Sequence, residues 1–336
     1  MLRIFHNTKY EFVKHWRLAA ILTIAFIVLG LVTFGITGGV KYSIDFTGGT
    51  LMQVQFKQAP DVAVVRSTLD KAGITGSEIQ EYGTATEYTI RARDEKQVEA
   101  QDAGAEGISK LISAALEQQF GAGNVTVVRT EAVGPKVGSE LRSGAFTAML
   151  IASLFTLMYL AIRFDWRFGA AAVFSTAHDI LLTLAFIKMF DIEVSLTVVA
   201  AILTLLGYSA NDTIIIFDRV REDLKKRAKG ESLAQVLDRA INETLPRSVM
   251  THATVLASTL ALLFIAGEII RPFAWVMTFG VFVATFSSIY VAGPFLIWIE
   301  SRYPRTTSDS TSRAVNAGND AAADKGSRKA ERIAAR

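Results

Sequence analysis

Residues 194–217 read VSLTVVAAILTLLGYSANDTIIIF, a largely apolar segment in which Asp212 is the one charged residue. A helix needs about 20 residues to cross the hydrocarbon core of a bilayer, and this segment is long enough. A charged side chain inside a membrane is costly, so it is usually found where it has a partner or a function. The segment therefore predicts a transmembrane helix that buries Asn211 and Asp212 against neighbouring helices.

Five further stretches are comparably long and apolar. Charged residues form only 20% of the 336-residue chain, compared with about 25% in an average soluble domain. These features exclude an ordinary soluble globule and predict a polytopic α-helical membrane protein with six transmembrane helices. In chain order the predicted helices span residues 18–36, 144–162, 168–187, 194–217, 249–266 and 272–299.

Composition also argues against several kinds of site. The chain has no cysteine, which excludes a disulfide framework, a thiol nucleophile and a cysteine-ligated zinc ion. A net charge of +3 gives no support for a nucleic-acid partner. The sequence contains no recognisable metal-binding or cofactor-binding cluster, so neither is predicted.

Lysine and arginine predict the orientation of the chain. With the amino terminus inside, the cytoplasmic segments hold 22 of these residues and the two short outside loops hold 2. An excess of basic residues marks the cytoplasmic side, so both termini are predicted to lie in the cytoplasm, with the chain crossing the cytoplasmic (inner) membrane. Residues 18–36 are interpreted as a retained anchor, because they exceed the roughly 7–15-residue apolar core of a cleaved signal peptide.

The long outside loop has the pattern of a folded α+β domain. Strand-like alternation and helix-like spacing follow each other in the order β-α-β-β-α-β, which predicts a ferredoxin-like domain between the first and second transmembrane helices. The predicted strands cover residues 50–56, 78–82, 88–92 and 124–133, and the predicted helices cover 61–71 and 97–120. The chain is thus divided into an amino-terminal segment with the first helix (1–37), this domain (38–143), a five-helix bundle (144–300) and a disordered tail (301–336), for which a docking helix within 323–336 is the alternative.

Polar residues follow one face of three successive predicted helices. The third helix carries His178 and Asp179, the fourth carries Asn211 and Asp212, and the fifth begins beside Arg247. Residues three or four apart share a helix face, so these stripes are expected to meet inside the bundle. We interpret them as a proton or cation relay in which Arg247 reaches Asp212. The alternatives are a fixed ion pair, a histidine that only packs, and an arginine that anchors the helix at the interface.

A short motif precedes the first predicted strand. Asp45 and Phe46 are followed closely by Gly48 and Gly49, a glycine pair that allows unusual backbone angles or a close approach of another segment. A phosphate-binding loop is a poor alternative, because no Gly-Lys-Ser/Thr follows and the next element is a strand. The motif is therefore predicted to be structural.

Several strings taken together resemble the SecF family of membrane subunits that assist bacterial protein export. The match extends over roughly residues 42–303, and the string in the fourth helix is long and specific. The strings are DFTGG (45–49), VGPKVGSEL (133–141), AHD (177–179), GYSANDTIIIFDRVRE (207–222) and ETLPRSVMT (243–251).

The resemblance implies a role in a proton-driven export machine rather than an enzyme. It implies half of a resistance-nodulation-division (RND) type transporter, in which a SecD subunit forms the other half of a heterodimer. The further partners it implies are the SecYEG channel, YajC and an unfolded preprotein. It also implies that Asp212 is the membrane carboxylate and that Arg247 is its basic partner.

Three alternatives compete with this interpretation. A small-molecule efflux subunit would use a similar bundle, although such pumps usually have about twelve helices and two outside loops. An intramembrane aspartyl protease would need two carboxyls about 3 Å apart, which the expected depths of Asp179 and Asp212 disfavour. A passive assembly subunit would have no proton-carrying role.

Overall fold

The structure is a computed structural model that describes residues 8–92, 104–228, 230–267 and 269–304. Within them it has six helical segments long and apolar enough to cross a membrane, together with one four-stranded antiparallel sheet. The prediction of a multi-pass helical membrane protein is therefore confirmed.

The first helix leads directly into the part of the chain that contains the sheet. The elements, in chain order, are α1 Trp16–Thr37, α2 Ile44–Thr47, β1 Gly49–Phe56, α3 Val62–Lys71, β2 Glu78–Tyr82, β3 Thr84–Ala92, α4 Gly104–Phe120 and β4 Val125–Val133. The strands lie in the order β2-β3-β1-β4, and each neighbouring pair is antiparallel. We call β1–β4 with α3 and α4 the sheet domain.

The core of the sheet domain follows from the sequence periods. On β1 the alternate residues Met52, Val54 and Phe56 are buried, which places them on the face that the helices cover. Val65 and Leu69 of α3 are fully buried at helical spacing, and Asp61 caps this helix by accepting from Ala63 N at 2.8 Å. Helix α4 begins at Gly104, and the earlier part of the predicted helix 97–120 lies outside the described residues.

The bundle consists of the helices that follow the sheet domain. They are α5 Pro135–Arg163, α6 Trp166–Met189, α7 Leu196–Lys225, α8 Leu233–Ile265, α9 Arg271–Tyr290 and α10 Ala292–Arg302. Helices α6, α7 and α9 form the interior of the bundle. In contrast, only 6% of the residues in the most apolar part of α5 are buried. One side of the bundle therefore presents an apolar surface to lipid or to another protein.

The structure corrects one expectation about the bundle. The predicted sixth helix, residues 272–299, is divided into α9 and α10, because Pro294 has no N–H and its ring conflicts with the carbonyl of Tyr290. The two ends of the charged segment 218–246 are helical, because they belong to the end of α7 and the beginning of α8. Most of the predicted tail 301–336 lies outside the described residues.

Candidate functional site: two buried carboxylates in the bundle

The first carboxylate, Asp179 of α6, is 7% exposed and is held by hydroxyl groups from two other helices. Its Oδ2 accepts from Ser209 Oγ of α7 at 2.5 Å and from Ser287 Oγ of α9 at 2.6 Å. Its Oδ1 lies 3.1 Å from Nδ1 of His178. Asp179 thus joins three helices at the centre of the bundle.

The second carboxylate, Asp212 of α7, has a similar environment. It is 5% exposed, and its Oδ1 accepts from Ser248 Oγ of α8 at 2.7 Å. Its Oδ2 accepts from Ser288 Oγ of α9 at 2.5 Å. Each aspartate therefore receives two serine hydroxyls, and α9 supplies one to each through consecutive residues.

The two serines of α9 have a second acceptor within reach. Ser287 Oγ lies 3.3 Å from the carbonyl oxygen of Ala284, and Ser288 Oγ lies 3.1 Å from that of Thr285. A hydroxyl carries one proton and can turn it to either acceptor. Both serines can therefore donate to a carboxylate or to their own helix backbone.

In the part of the chain that the structure describes, neither carboxylate forms an ion pair with a lysine or arginine. Burying an isolated charge is costly, and hydrogen bonds from hydroxyl groups offset only part of that cost. A cavity of about 10 Å³ beside Asp179 has room for at most about one water molecule. Both carboxylates are thus buried without a lysine or arginine beside them, and Asp179 has His178 as its basic neighbour.

The expected contact between Arg247 and Asp212 is wrong for this structure. Arg247 is exposed, and the next residue, Ser248, faces Asp212 instead. Successive residues of a helix point about 100° apart, so a shift of one position decides which side chain points inward. Thr251 and Thr254 follow Arg247 along the exposed face of α8, and Asn211 is likewise exposed on α7.

Two further polar groups lie near Asp212. The rings of Tyr208 and His252 pack edge-to-face with centroids 5.2 Å apart, and both lie near enough to Asp212 to sense its charge. Tyr208 Oη and His252 Nδ1 are buried and have no hydrogen-bond partner among the described residues, as is also true of His178 Nε2. These groups extend the polar interior beyond the two carboxylates.

Four residues of the site were not predicted from the sequence, the serines Ser209, Ser248, Ser287 and Ser288. The adjacent Ser287 and Ser288, within an otherwise apolar span, were a usable signal. Ser209 lies three residues before Asp212 and thus on the same face of α7. The other predicted site residues, Asp179, His178 and Asp212, are all buried within the bundle.

The glycine motif lies where the sheet domain meets the bundle. Gly48 has a φ of +72°, and a Cβ there would lie 2.8 Å from Cα of Pro135, the first residue of α5. Gly49 has a φ of +123°, and its Cβ would lie 2.8 Å from the carbonyl oxygen of Ala92. Phe46 is buried, and Asp45 Oδ2 accepts from the backbone N–H of Leu196 at 3.0 Å. A side chain is therefore excluded at both glycines. The structural role of the motif stays a prediction.

Two known family descriptions match parts of the chain. Residues 112–302 match the family described as "Protein export membrane protein SecD/SecF, C-terminal", and residues 33–60 match the "SecD/SecF GG Motif". The first match contains both carboxylates with their serine partners. The second contains the motif that begins at Asp45.

Individual relatives agree with the family matches. The chain is 73% identical over 336 residues to a "Protein translocase subunit SecF" from Gemmatimonas aurantiaca, with 100% of both chains covered. It is 38% identical over 281 residues to the subunit of the same name from Vibrio alginolyticus, which covers 84% of this chain and 87% of that one.

Solved structures show the same likeness. The crystal structure of SecDF, a translocon-associated membrane protein from Thermus thermophilus, matches with a TM-score of 0.73 and 32% identity, covering 88% of this chain and 39% of that one. A super-membrane-facing form of SecDF matches with a TM-score of 0.61 and 32% identity, covering 92% and 40%. The chain spans about two fifths of the length of each SecDF chain. From its motifs, its two family matches and these relatives, we conclude that the chain belongs to the SecF family of protein translocase subunits.

Proposed function

We propose that this SecF-family subunit carries protons through its membrane bundle and uses the proton motive force to assist late stages of protein translocation. The observation that carries the proposal is the hydroxyl environment of Asp212 and Asp179. Each carboxylate is buried, lacks a lysine or arginine partner among the described residues and receives one hydroxyl from α9 that has a second acceptor.

The geometry accommodates both protonation states of Asp212. When the carboxylate is ionised, Ser288 Oγ donates to its Oδ2. When the carboxyl carries a proton, that O–H can donate to Ser288 Oγ, and Ser288 turns its own proton to the carbonyl of Thr285. Neither state leaves the carboxyl group or Ser288 unpaired, so neither group incurs that penalty. Such a site can load and release a proton.

Asp179 is proposed as a second station of the relay. Ser287 offers it the same alternative through the carbonyl of Ala284, and His178 lies beside its other oxygen. Helix α9 contacts both carboxylates through adjacent residues, so protonation of one is expected to bias the packing of α9 around the other. Arg247 is proposed to act from the exposed face of α8 rather than through direct contact with Asp212.

The proposed working partner is a SecD subunit that forms a heterodimer with this chain. The names of the SecDF structures support such a partner, since this chain matches only about two fifths of each of them. The barely buried α5 and the polar stripe on α8 are consistent with coverage by another protein. We extend the proposal to the SecYEG channel, YajC and an unfolded preprotein, with no nucleic acid and no cofactor involved.

We further propose that the protein lies in the inner membrane with both termini in the cytoplasm. The sheet domain, in residues 38–143, would then lie outside, before the five-helix bundle of residues 144–300. We propose a ferredoxin-like fold for this domain. That assignment is supported by the strand order β2-β3-β1-β4 and by the helices α3 and α4 placed after the first and third strands.

The test is preprotein export in cells depleted of the native subunit and supplied with Asp212→Asn. Asparagine has nearly the shape of aspartate. Its Oδ1 can still accept from one serine and its Nδ2 can donate to the other, but it cannot take up the proton. We expect export to fall to the level of cells without the subunit, with membrane insertion and co-purification with SecD unchanged. Asn211→Ala, one residue away on the exposed face, is the matched control and should export normally. Full export by Asp212→Asn would leave only a passive assembly role.

A further inference from the structure

We propose that Asp45 is a positioning residue that fixes the amino end of α7 to the sheet domain, so that a displacement of α7 moves that domain with it. This inference rests on the proposed function, in which α7 carries Asp212. It gives the glycine motif a mechanical role in addition to its structural one.

The first contact between Asp45 and α7 is a side-chain cap on the helix. Leu196 is the first residue of α7, and its backbone N–H donates to Asp45 Oδ2 at 3.0 Å. The first four N–H groups of a helix have no partner within the helix, and a carboxylate is favoured there by the helix dipole. Ser195 satisfies a second one by accepting from Val198 N at 3.3 Å. Asp45 thus caps α7 from 151 residues away in the sequence.

The second contact is a short parallel pairing of the backbone before Asp45 with the backbone before α7. Ser43 N donates to the carbonyl of Val194 at 2.9 Å, and Val194 N donates to the carbonyl of Lys41 at 2.8 Å. Ser43 Oγ also accepts from Asp45 N at 3.2 Å, which orients the aspartate. Residues 41–45 therefore run alongside the segment that begins α7. We call residues 41–45 with residues 190–196 the joint.

Ion pairs reinforce the joint from the sheet. The side chain of Arg91 of β3 is 12% exposed, and its Nη2 donates to both carboxylate oxygens of Glu193 at 2.5 Å, a charge-assisted contact. Lys41 pairs with Asp191 on the exposed side. The sheet domain therefore holds the loop between α6 and α7, although both ends of this loop continue into helices of the bundle.

The glycines of the motif connect the joint to the sheet and to α5. Strand β1 begins at Gly49, directly after the α2 turn that contains Asp45. A Cβ on Gly138 of α5 would lie 2.8 Å from the backbone N of Gly48, so this helix packs directly against the motif. Asp212 lies 16 residues along α7 from Leu196, which is about 24 Å at 1.5 Å per residue. A shift of this helix at the carboxylate thus reaches the sheet domain through Asp45.

The first test compares two helix caps in the export assay. Asp45→Ala should lower the export rate about fivefold, the factor expected in an equilibrium when a helix cap is lost. Insertion and co-purification with SecD should stay normal. Asp45→Asn keeps one acceptor oxygen and should fall between Asp45→Ala and wild type. Asp61→Ala, the matched control, removes the cap of α3 without touching the bundle and should export normally. Normal export by Asp45→Ala, or an equal loss in Asp61→Ala, would overturn the inference.

The second test restores the joint covalently. Tyr42 and Val194 are bridge partners, so their Cα atoms lie within the range that a disulfide spans, and the chain contains no other cysteine. In an Asp45→Ala background, oxidising a Tyr42→Cys/Val194→Cys pair should recover export, whereas reduction should abolish the recovery. With Asp45 intact, oxidation should leave export unchanged. Export lost on oxidation in that background would mean that the joint opens during the cycle, which contradicts the proposal.

The same assay separates this inference from the function on which it rests. Normal export by Asp212→Asn would overturn the proton-carrying role and the coupling together. Loss of export in Asp212→Asn with normal export in Asp45→Ala would overturn the coupling alone.

Discussion

Gly30→Ala tests how closely α1 must approach the carboxylate-bearing α6. A Cβ at position 30 would lie 2.4 Å from Cβ of Ala185 and 2.8 Å from its Cα. Carbon atoms attract best at about 3.5–4.0 Å, so the two helices must separate by roughly 1 Å or more. Since one of the contacted atoms belongs to the backbone, a side-chain rotation cannot relieve the clash.

Overpacking of this kind typically costs about 1–3 kcal/mol. If each kcal/mol lowers the unfolding midpoint by about 2–4 °C, the variant should unfold roughly 2–12 °C below wild type. The assay is thermal unfolding of the purified protein in one detergent, followed by export in cells.

Gly35→Ala is the matched control, because it makes the same change in the same helix with no atom within 4 Å of the new Cβ. It should match wild type or exceed it, since alanine favours a helix over glycine by up to about 1 kcal/mol. Equal midpoints for the two variants would refute the close contact between α1 and α6.

Two further predictions concern the carboxylate site. Ser288→Ala removes the hydroxyl that donates to Asp212, a hydrogen bond to a charged group worth about 1.5–3 kcal/mol, and should therefore lower export. Ser288→Thr keeps a hydroxyl and should retain most of the export activity. Equal export by both variants would contradict this role of Ser288. Arg247→Met should leave the unfolding free energy within about 0.5 kcal/mol of wild type because Arg247 is exposed, yet export less than Arg247→Lys. Identical export by both Arg247 variants and wild type would remove Arg247 from the mechanism.

The helices could be predicted from the sequence because bilayer thickness sets a minimum length that apolar stretches reveal directly. The division of the sixth span was also readable, since Pro294 stands within it. The α+β pattern before the bundle was readable from alternation and helical spacing, and the described residues there form β1–β4 with α3 and α4.

The partners of the carboxylates could not be predicted in the same way. Arg247 and Ser248 are neighbours in sequence, and only the rotation of α8, which packing sets, decides which one faces Asp212. The simplest electrostatic expectation was a basic residue beside a buried acid. That expectation favoured Arg247, whereas Ser248 is the residue that contacts Asp212. The cap that Asp45 places on α7 joins residues 151 positions apart, and no local pattern reports such a contact.

Asp212 has serine partners where we expected an arginine, and this environment favours a proton carrier over a fixed ion pair. A buried arginine cannot lose its proton, so it would favour the ionised carboxylate throughout the cycle. Serine hydroxyls carry no net charge and can either donate to the carboxylate or accept from the carboxylic acid. Ser288, with the carbonyl of Thr285 as a second acceptor, can do both while it and the carboxyl group stay hydrogen-bonded. The site is therefore suited to alternate between two charge states, which a proton-driven subunit requires.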